Sequence, residues 1–393
     1  MTVNGLPLAR PEGRPLDPPP ELAEIRARAP ISPMTYPDGH EGWLVTGYAQ
    51  ARAVLADNRF SARYELAHLP YGDFGRLPPA PAGDISAIDP PEHTRYRRLL
   101  AGAFTVRRMA LLAERAEEIT VGLLDAMAGQ GPPADLVTAL AQPLPGLMIC
   151  ELLGVPAAER EGFQRHAAAG ILDADVTPED AYRAWAALSE HIGALVPIKR
   201  AAPTEDLISD LTAGDLTDEE ITGLGVFLLG AGLDTTGSVL ARGVFALLTH
   251  PEQFALLRAD PGLVEGAVEE LLRYLSIGPC GLRTALEDVE VDGVLIRAGQ
   301  TVTISQPAAN RDPARFPDPD ALDVRRDAAG HLTFTHGIHQ CLGQHLARLE
   351  LRVALRGLIA RFPTLRLAVE PGDVPMRDEY ANVYGLYRLP VAW

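Results

Sequence analysis

Apolar residues recur at intervals of three and four through most of the middle of the chain. This spacing places them on one face of an α-helix. It predicts helices over 110–128, 136–153, 178–198, 217–249, 261–275 and 343–362. Alternating apolar and polar residues predict short strands at 42–47 and between 289 and 305. The fold class is therefore mainly α with small β-sheets, in which the early and late strands pair.

Two segments that lack the helical spacing bear on domain organisation. The first 40 residues hold nine prolines and little periodicity, which predicts an extended segment wrapping the body. Residues 310–330 are polar and rich in Pro and Asp, which predicts a meandering loop. There is no internal repeat and no sharp change of composition, so residues 1–393 are expected to form one domain.

The composition of the chain limits which binding partners and which cellular compartment can be expected. The formal charge of −17 argues against a surface that grips nucleic acid. Three cysteines without a CxxC pair cannot form a disulfide framework, which fits a reducing cytoplasm. The most apolar stretch, 221–233, ends at Asp234 after 13 residues, short of the roughly 20 that span a bilayer. We therefore expect a cytoplasmic protein with no membrane and no nucleic acid partner.

The most informative stretch is residues 334–343, FTHGIHQCLG, where Cys341 precedes a predicted helix. Cys341 could be an inert buried thiol. Zinc is a second reading, because three histidines lie nearby: His336, His339 and His345. Structural zinc sites generally use more thiolates or ordered pairs of ligands, which disfavours that reading.

The third interpretation is that Cys341 is a thiolate that holds haem iron. Free N–H groups at the start of the following helix would stabilise a negative sulfur. Gly343 would allow close approach of backbone to sulfur and ring, and Gly337 would permit the sharp turn before it. Phe334 could pack against the ring system and shield the sulfur from water.

This stretch resembles the haem-binding signature of the cytochrome P-450 superfamily: Phe, small, x, Gly, x, His or Arg, x, Cys, x, Gly. Every fixed position matches except the second, where Thr335 replaces the usual glycine or serine. The resemblance implies a triangular, helical body with a long central helix over haem b. It makes Cys341 the axial ligand of the iron.

Two charges at helical spacing, Glu270 and Arg273, would be neighbours on one face of the helix over 261–275. An isolated ExxR of this kind is usually a solvated surface pair. In the resembled superfamily, ExxR and an arginine of the meander form a buried triad that locks the cysteine loop. The resemblance assigns that structural role to Glu270, Arg273 and Arg326.

Small residues followed by an acid and hydroxyls, GAGLDTT at 230–236, are poor choices inside a helix. They favour either close helix packing or a local bulge that opens a groove beside a ligand. By resemblance, Ala231 and Gly232 leave room for dioxygen. Thr235 would then hydrogen-bond the oxygen intermediate, and Asp234 would relay protons from solvent.

His93 and Arg97, at spacing i, i+4, share one face of a helix that opens after two prolines. They could be exposed charges of a first turn. Haem, however, carries two propionates that need cationic partners. The resemblance assigns that role to His93, Arg97, Arg283 and His339.

The resemblance further implies a monooxygenase that takes electrons from NAD(P)H through a ferredoxin reductase and a ferredoxin. An acidic ferredoxin could dock on a basic face formed by Arg97, Arg98, Arg107, Arg108 and Arg348. A lipophilic substrate of secondary metabolism is expected in a pocket formed by 64–88 and by Phe227, Ala231, Ile277, Leu282 and Val383. We expect a monomer.

Three alternatives remain open from the sequence. A peroxygenase would use hydrogen peroxide, although such members typically lack the acid–alcohol pair seen at 234–235. The same scaffold could catalyse oxidative coupling or ring closure. A non-catalytic haem-binding recruitment or sensor module is a different class of protein, in which degenerate helix motifs would be expected.

Overall fold

The computed structural model describes residues 2–104, 106–163, 177–377 and 383–393, without the side chains at 106, 107, 178 and 181. Within these ranges the chain is mainly helical. Its α-helices, numbered in chain order, are α1 (Pro20–Arg28), α2 (Tyr48–Ala56), α3 (Glu92–Leu100), α4 (Val106–Gln130), α5 (Pro143–Leu153), α6 (Pro178–Ala201), α7 (Leu207–Thr212), α8 (Asp218–Thr249), α9 (Pro251–Ala259), α10 (Val264–Leu275), α11 (Gln306–Asn310) and α12 (Gln344–Arg361).

All six predicted helices exist, with boundaries that differ by a few residues. The predicted helix over 136–153 is interrupted, because a π-helical turn, Val137–Ala141, precedes α5. The start of α8 is fixed by a capping box, in which the Thr217 hydroxyl accepts the Glu220 N–H and the Glu220 carboxylate accepts the Thr217 N–H. The predicted bounds 217–249 of the central helix are therefore correct to within a residue.

The strands form small sheets, as expected. They are β1 (Val3–Asn4), β2 (Ile31–Thr35), β3 (Glu41–Val45), β4 (Phe60–Ser61), β5 (Ala134–Asp135), β6 (Gly281–Ala285), β7 (Val289–Val291), β8 (Val294–Ile296), β9 (Thr301–Ile304), β10 (Arg366–Leu367) and β11 (Pro390–Ala392). The largest sheet has the order β1-β2-β3-β9-β6-β4. Strand β3 pairs in parallel with β9, so the predicted pairing of early and late strands is confirmed.

The first 40 residues differ from the extended segment that the prolines suggested. They contain the nine-residue helix α1 and two strands of the main sheet. Leu22 and Ile25 of α1 are buried, which explains why a helix forms despite the neighbouring prolines. Proline is tolerated in the first turn of a helix, where its missing N–H costs nothing. The predicted loop is confirmed over residues 311–330, which contain no regular elements, and Asn310 is the last residue of α11.

The central helix α8 runs through the main apolar core, which it forms together with α4, α5, α10 and α12. By length and composition alone it could cross a membrane, but 61% of its most apolar window is buried inside the fold. Its glycines permit close contacts on several sides. A Cβ at Gly223 would overlap the carbonyl oxygen of Ala82, and one at Gly83 would overlap the backbone of α8. The loop that carries residues 82–83 therefore lies directly against the central helix.

Candidate functional site

A cavity of about 210 Å³ lies between α8, α3 and the cysteine loop. Ten of the predicted site residues line it: His93, Arg97, Phe227, Ala231, Gly232, Thr235, Phe334, His339, Cys341 and Gly343. The lining is mostly apolar, and further members that the sequence did not point to are Phe104, Pro145, Ile149, Leu152, Thr236, Leu346 and Glu350.

The cysteine loop is held in a tight turn by its own backbone. The Cys341 N–H donates to the Phe334 carbonyl oxygen over 2.9 Å. Gly337 has φ +77°, and a Cβ there would overlap the carbonyl oxygen of Leu55, so only glycine fits. Thr335 also has a positive φ, 56°, and its hydroxyl donates to the His339 carbonyl oxygen over 3.1 Å. The threonine thus occupies a left-handed position at which glycine would be unstrained.

Burial raises the pKa of the Cys341 thiol, because a thiolate is costly to remove from water. Several groups oppose that effect. The backbone N–H groups of Gly343 and Gln344, at the start of α12, point to the sulfur, and Arg97 and Arg348 add positive charge nearby. This is the environment that helix N-termini and cations give to reactive or metal-binding thiolates.

The predicted propionate partners form one cluster beside the cavity. The His93 and His339 rings have centroids 4.3 Å apart, and His93 is 2% exposed. Burial, reinforced by Arg283, His93 and Arg97, lowers the pKa of His339 to about 3. Burial also lowers the pKa of Arg283 to about 10.

These cationic and neutral donors have few partners of their own. Within the described residues the Nε2 atom of His93 is buried without a hydrogen bond. Arg283 donates to the Leu282 carbonyl oxygen over 2.7 Å, and Arg97 to that of Gln340. Among the described residues none of these donors forms a salt bridge, although Asp89 is close enough to act electrostatically on Arg283 and His93. Such donors fit a ligand that brings its own negative charge, which haem propionates would do.

Of the two alternatives for the small residues of α8, the structure favours close packing over a bulge, because the described backbone is α-helical without interruption from Asp218 to Thr249. Close packing explains the small residues. A Cβ at Gly230 would lie 2.9 Å from the Trp185 ring, and one at Gly232 would lie 3.3 Å from Ile149. The Thr235 hydroxyl donates to the Ala231 carbonyl oxygen over 2.8 Å, on the turn that faces the cavity.

Asp234 does not line the cavity and forms an ion pair that the sequence did not reveal. Nη1 of Arg377 lies 2.7 and 2.9 Å from the two carboxylate oxygens of Asp234. The side chains of Arg377 and Asp234 are only 9% and 14% exposed, and Ser238 donates to the same carboxylate over 3.2 Å. The pair joins the central helix to the segment that precedes residue 378.

Glu270, Arg273 and Arg326 come together in the interior. Glu270 and Arg273 have fully buried side chains, with two contacts of 2.7 and 2.8 Å between guanidinium and carboxylate. Arg326 Nε lies 3.1 Å from Glu270 Oε1. Arg273 also donates to the carbonyl oxygens of Asn310 and Pro319, each over 2.9 Å. The group thus fastens the 310–330 loop to α10.

The predicted substrate wall is only partly present around this cavity. Phe227 and Ala231 line it, and the stretch 64–88 contributes Ile85 and Ser86. Ile277, Leu282 and Val383 lie elsewhere. The Ile277 carbonyl oxygen instead accepts the Tyr384 N–H over 2.8 Å, which joins α10's end to the C-terminal segment.

The predicted basic face is smaller than the sequence suggested. Arg97 turns inward to the cavity, Arg108 pairs with Asp210 at 3.5 Å and Arg348 pairs with Glu269 at 2.6 Å. Arg98 is exposed. The side chain of Arg107 lies outside the described residues. Zinc finds no support, since no group of three potential metal-binding side chains occurs in the part of the chain that is described.

Comparison with known proteins agrees with this geometry. A family model described as Cytochrome P450 matches residues 199–381. The chain is 49% identical over 381 residues to Cytochrome P450 105C1 of Streptomyces sp, covering 96% of this chain and 95% of that protein. It is 45% identical to Nocardicin C N-oxygenase of Nocardia uniformis subsp. tsuyamanensis, covering 96% of each.

Solved structures extend the similarity to the whole fold. The crystal structure of CYP105P1 in complex with filipin I superposes with a TM-score of 0.91 at 41% identity, covering 100% of this chain and 99% of that one. Cytochrome P450 MoxA from Nonomuraea recticatena gives 0.92 at 41% identity, with 99% and 98% covered.

Together with these similarities, the long helix over a cavity that a cysteine loop closes beneath identifies an oxidoreductase that uses dioxygen. The chain belongs to the cytochrome P450 family. Its relatives are bacterial, and several are named as monooxygenases or hydroxylases.

Proposed function

We propose that this enzyme is a haem-thiolate monooxygenase that inserts one oxygen atom into a lipophilic small molecule by hydroxylation or epoxidation. The observation that carries the proposal is the arrangement around one cavity. Cys341 lies at the start of α12, Thr235 faces the cavity from α8, and buried donors such as Arg283 cluster at its side. Each group has the chemistry that haem and dioxygen require.

Haem b would supply dioxygen activation at its iron, and the residues of the chain determine how it is held. The thiolate of Cys341 would hold the haem iron, stabilised by the N–H groups that begin α12. His93, Arg97, Arg283 and His339 would bind the propionates. Phe334 would exclude water from the sulfur, and Glu270 with its arginines would keep the loop in position.

Asp234 and Thr235 of α8 would deliver protons to the cavity. The Thr235 hydroxyl now donates to the Ala231 carbonyl oxygen, and rotation about its side chain would turn it to the cavity. Asp234 is held against Arg377, so its carboxylate has a fixed orientation on the far side of the same turn. We propose that Asp234 passes protons from solvent to Thr235, which holds one at the cavity.

The substrate class follows from the lining and the relatives. Phe104, Ile149, Leu152 and Phe227 offer no charge to fix a polar head group. Mycinamicin IV hydroxylase/epoxidase of Micromonospora griseorubida is 42% identical, and Pentalenic acid synthase of Streptomyces avermitilis is also 42% identical. These names support a tailoring step in bacterial secondary metabolism, such as antibiotic biosynthesis.

Electrons would come from NAD(P)H through a ferredoxin reductase and a ferredoxin in the cytoplasm. Arg98 is an exposed member of the predicted basic face, so we propose that an acidic ferredoxin contacts it. Arg98→Glu should slow reduction and leave substrate binding intact. Arg183→Glu changes an exposed arginine of α6 by the same charge and serves as control. Equal reduction rates in both variants would contradict this docking site.

We also propose one folding domain and a monomer. The largest apolar cluster draws buried residues from Leu16 through to Val391, so both ends of the chain contribute to the same core. A single thermal transition and a monomeric mass in solution are the expected results. Two separated transitions would contradict the single domain.

The decisive experiment is the spectrum of the reduced protein with carbon monoxide. Thiolate-ligated haem absorbs far to the red of histidine-ligated haem, so the wild type should show the red-shifted band. Cys341→Ser should lose it, whereas Cys150→Ser and Cys280→Ser should retain it. A colourless wild type that cannot take up hemin would overturn the proposal.

Turnover separates a catalyst from a sensor module. With a reconstituted ferredoxin system, Thr235→Ala should consume electrons without forming product, and Thr235→Ser should restore coupling because it keeps the hydroxyl. Tight coupling in Thr235→Ala would refute the proton-delivery role. Product formation driven by hydrogen peroxide alone would favour a peroxygenase, and coupled or cyclised products would favour the coupling reaction.

A further inference from the structure

A second carboxylate beside the triad, Glu269, links α10 to the helix that follows the cysteine loop. Arg348 Nε lies 2.6 Å from Glu269 Oε1, and Arg348 Nη2 lies 3.0 Å from Oε2, which is a two-point fork. Burial opposes ionisation of Glu269, but the neighbouring His331 and the two hydrogen bonds from Arg348 outweigh it and lower its pKa to about 2. Glu269 therefore carries a full negative charge against Arg348.

His331 completes the network from the other side. The Thr333 N–H donates to its Nδ1 atom over 3.2 Å, so the proton of the neutral imidazole sits on Nε2. Nε2 lies 3.3 Å from Glu269 Oε2, and the side chain of His331 is 1% exposed. Burial lowers the pKa of His331, which keeps it neutral. The charge balance of the network therefore rests on Glu269 and Arg348.

Arg348 lies close to the thiol of Cys341, which lines the cavity. Its guanidinium carbon lies 4.5 Å from the centroid of the Phe334 ring, and the Phe334 carbonyl oxygen accepts the Cys341 N–H. Arg348 is one of the charges that oppose the burial-induced rise of the Cys341 pKa. Its Nη1 also lies 2.9 Å from Oε1 of Gln344, so it has a second anchor on its own helix.

We propose that Glu269 is a positioning residue that tunes the reduction potential of the haem, by offsetting the positive charge of Arg348 beside the Cys341 sulfur. The inference rests on the proposed haem–thiolate site. One-electron reduction adds negative charge at the iron, so a nearby positive charge favours reduction and a negative one opposes it. In the ion pair the two opposite charges lie side by side and largely cancel at the Cys341 sulfur. Removing one member leaves the charge of the other uncompensated.

The chain contains a matched control for this ion pair. Glu265, one turn earlier on α10, pairs with Arg352 at 3.0 Å and with Arg356 at 3.1 Å on the same partner helix. Those pairs are more exposed than Glu269–Arg348 and lie farther along α12 from Cys341. Glu265→Gln and Glu269→Gln therefore change the net charge equally and weaken the same helix contact.

The experiment is a spectroelectrochemical titration of the substrate-free holoenzyme. Glu269→Gln should favour reduction by about tenfold, which is about 59 mV for a one-electron couple. Arg348→Met should shift the potential in the opposite direction, and the double variant should return close to the wild type. Glu265→Gln should leave the potential unchanged. An unchanged potential in Glu269→Gln, or equal shifts in Glu269→Gln and Glu265→Gln, would overturn the inference.

Two further variants keep the proposal testable if Glu269→Gln or Arg348→Met folds poorly. Glu269→Asp and Arg348→Lys each keep the charge with altered geometry, so both should stay close to the wild-type potential. A large shift in either would contradict a charge effect. Failure of the underlying haem–thiolate site is recognised separately, since every variant and the wild type would then lack the red-shifted carbon monoxide band.

Discussion

Glu350 offers a direct test of the electrostatics of the cavity. It belongs to α12, lines the cavity and is 3% exposed. Within the described residues its Oε2 atom has no hydrogen-bond partner. Burial raises its pKa from 4.5 to about 8, because the carboxylate would be desolvated without a compensating cation. Glu350→Gln replaces the protonated acid with a neutral group of nearly the same shape.

The sign of the expected effect follows from proton linkage. Between pH 4.5 and about 8 the folded protein holds one more proton at Glu350 than the unfolded chain does. The stability that this group contributes is therefore fully present at low pH and is lost as the pH rises through that window. Each pH unit corresponds to about 1.4 kcal/mol. Over the whole window the loss is about 5 kcal/mol at most.

The assay is unfolding of wild type and Glu350→Gln in parallel from pH 5 to 9, followed by fluorescence, with and without haem. At pH 5 the two proteins should have nearly equal stability. At pH 8 and above the variant should be the more stable, by several kcal/mol. A difference between the two proteins that does not change with pH would refute the reasoning, because it would show that Glu350 ionises equally in both states.

Three other substitutions test the positioning of the site. Gly337→Ala should reduce haem content severalfold, because its Cβ would collide with a backbone carbonyl oxygen. Gly299→Ala, which also has a positive φ but open space around it, is the control, and equal haem absorbance in both variants would contradict the turn. Glu270→Gln should cost about 3–5 kcal/mol of unfolding free energy by leaving a buried arginine uncompensated; a loss below about 1 kcal/mol in denaturant would count against it. Arg377→Met should uncouple electron use from product formation because Asp234 loses its fixed orientation, and unchanged coupling would exclude that role.

Local chemistry explains what the sequence predicted well. The apolar spacing located α8, and the capping box at Thr217 fixes its start, because both act within one or two helical turns. The cysteine loop was readable for the same reason, since Gly337 and Gly343 are neighbours of Cys341 in sequence. Residues placed around the cavity by long motifs, such as His93 and Thr235, also line it.

Contacts between distant segments explain what the sequence did not predict. Asp234 and Arg377 are 143 residues apart, and nothing local marks either as the partner of the other. Glu269 and Arg348 are 79 residues apart, and only the packing of α12 against α10 brings them together. The small residues of α8 were ambiguous for the same reason, because only the packed structure shows that Trp185 and Ile149 fill the space beside them.

The contact between Gly83 and the central helix sets a boundary for any redesign of substrate scope. A side chain at position 223 would meet backbone rather than a flexible side chain, so it would displace a whole loop. Substitutions there would displace both the loop that carries residues 82–83 and the helix α8, so their effects would be hard to interpret. Phe227, one turn farther along and facing the cavity, is the safer position at which to vary volume.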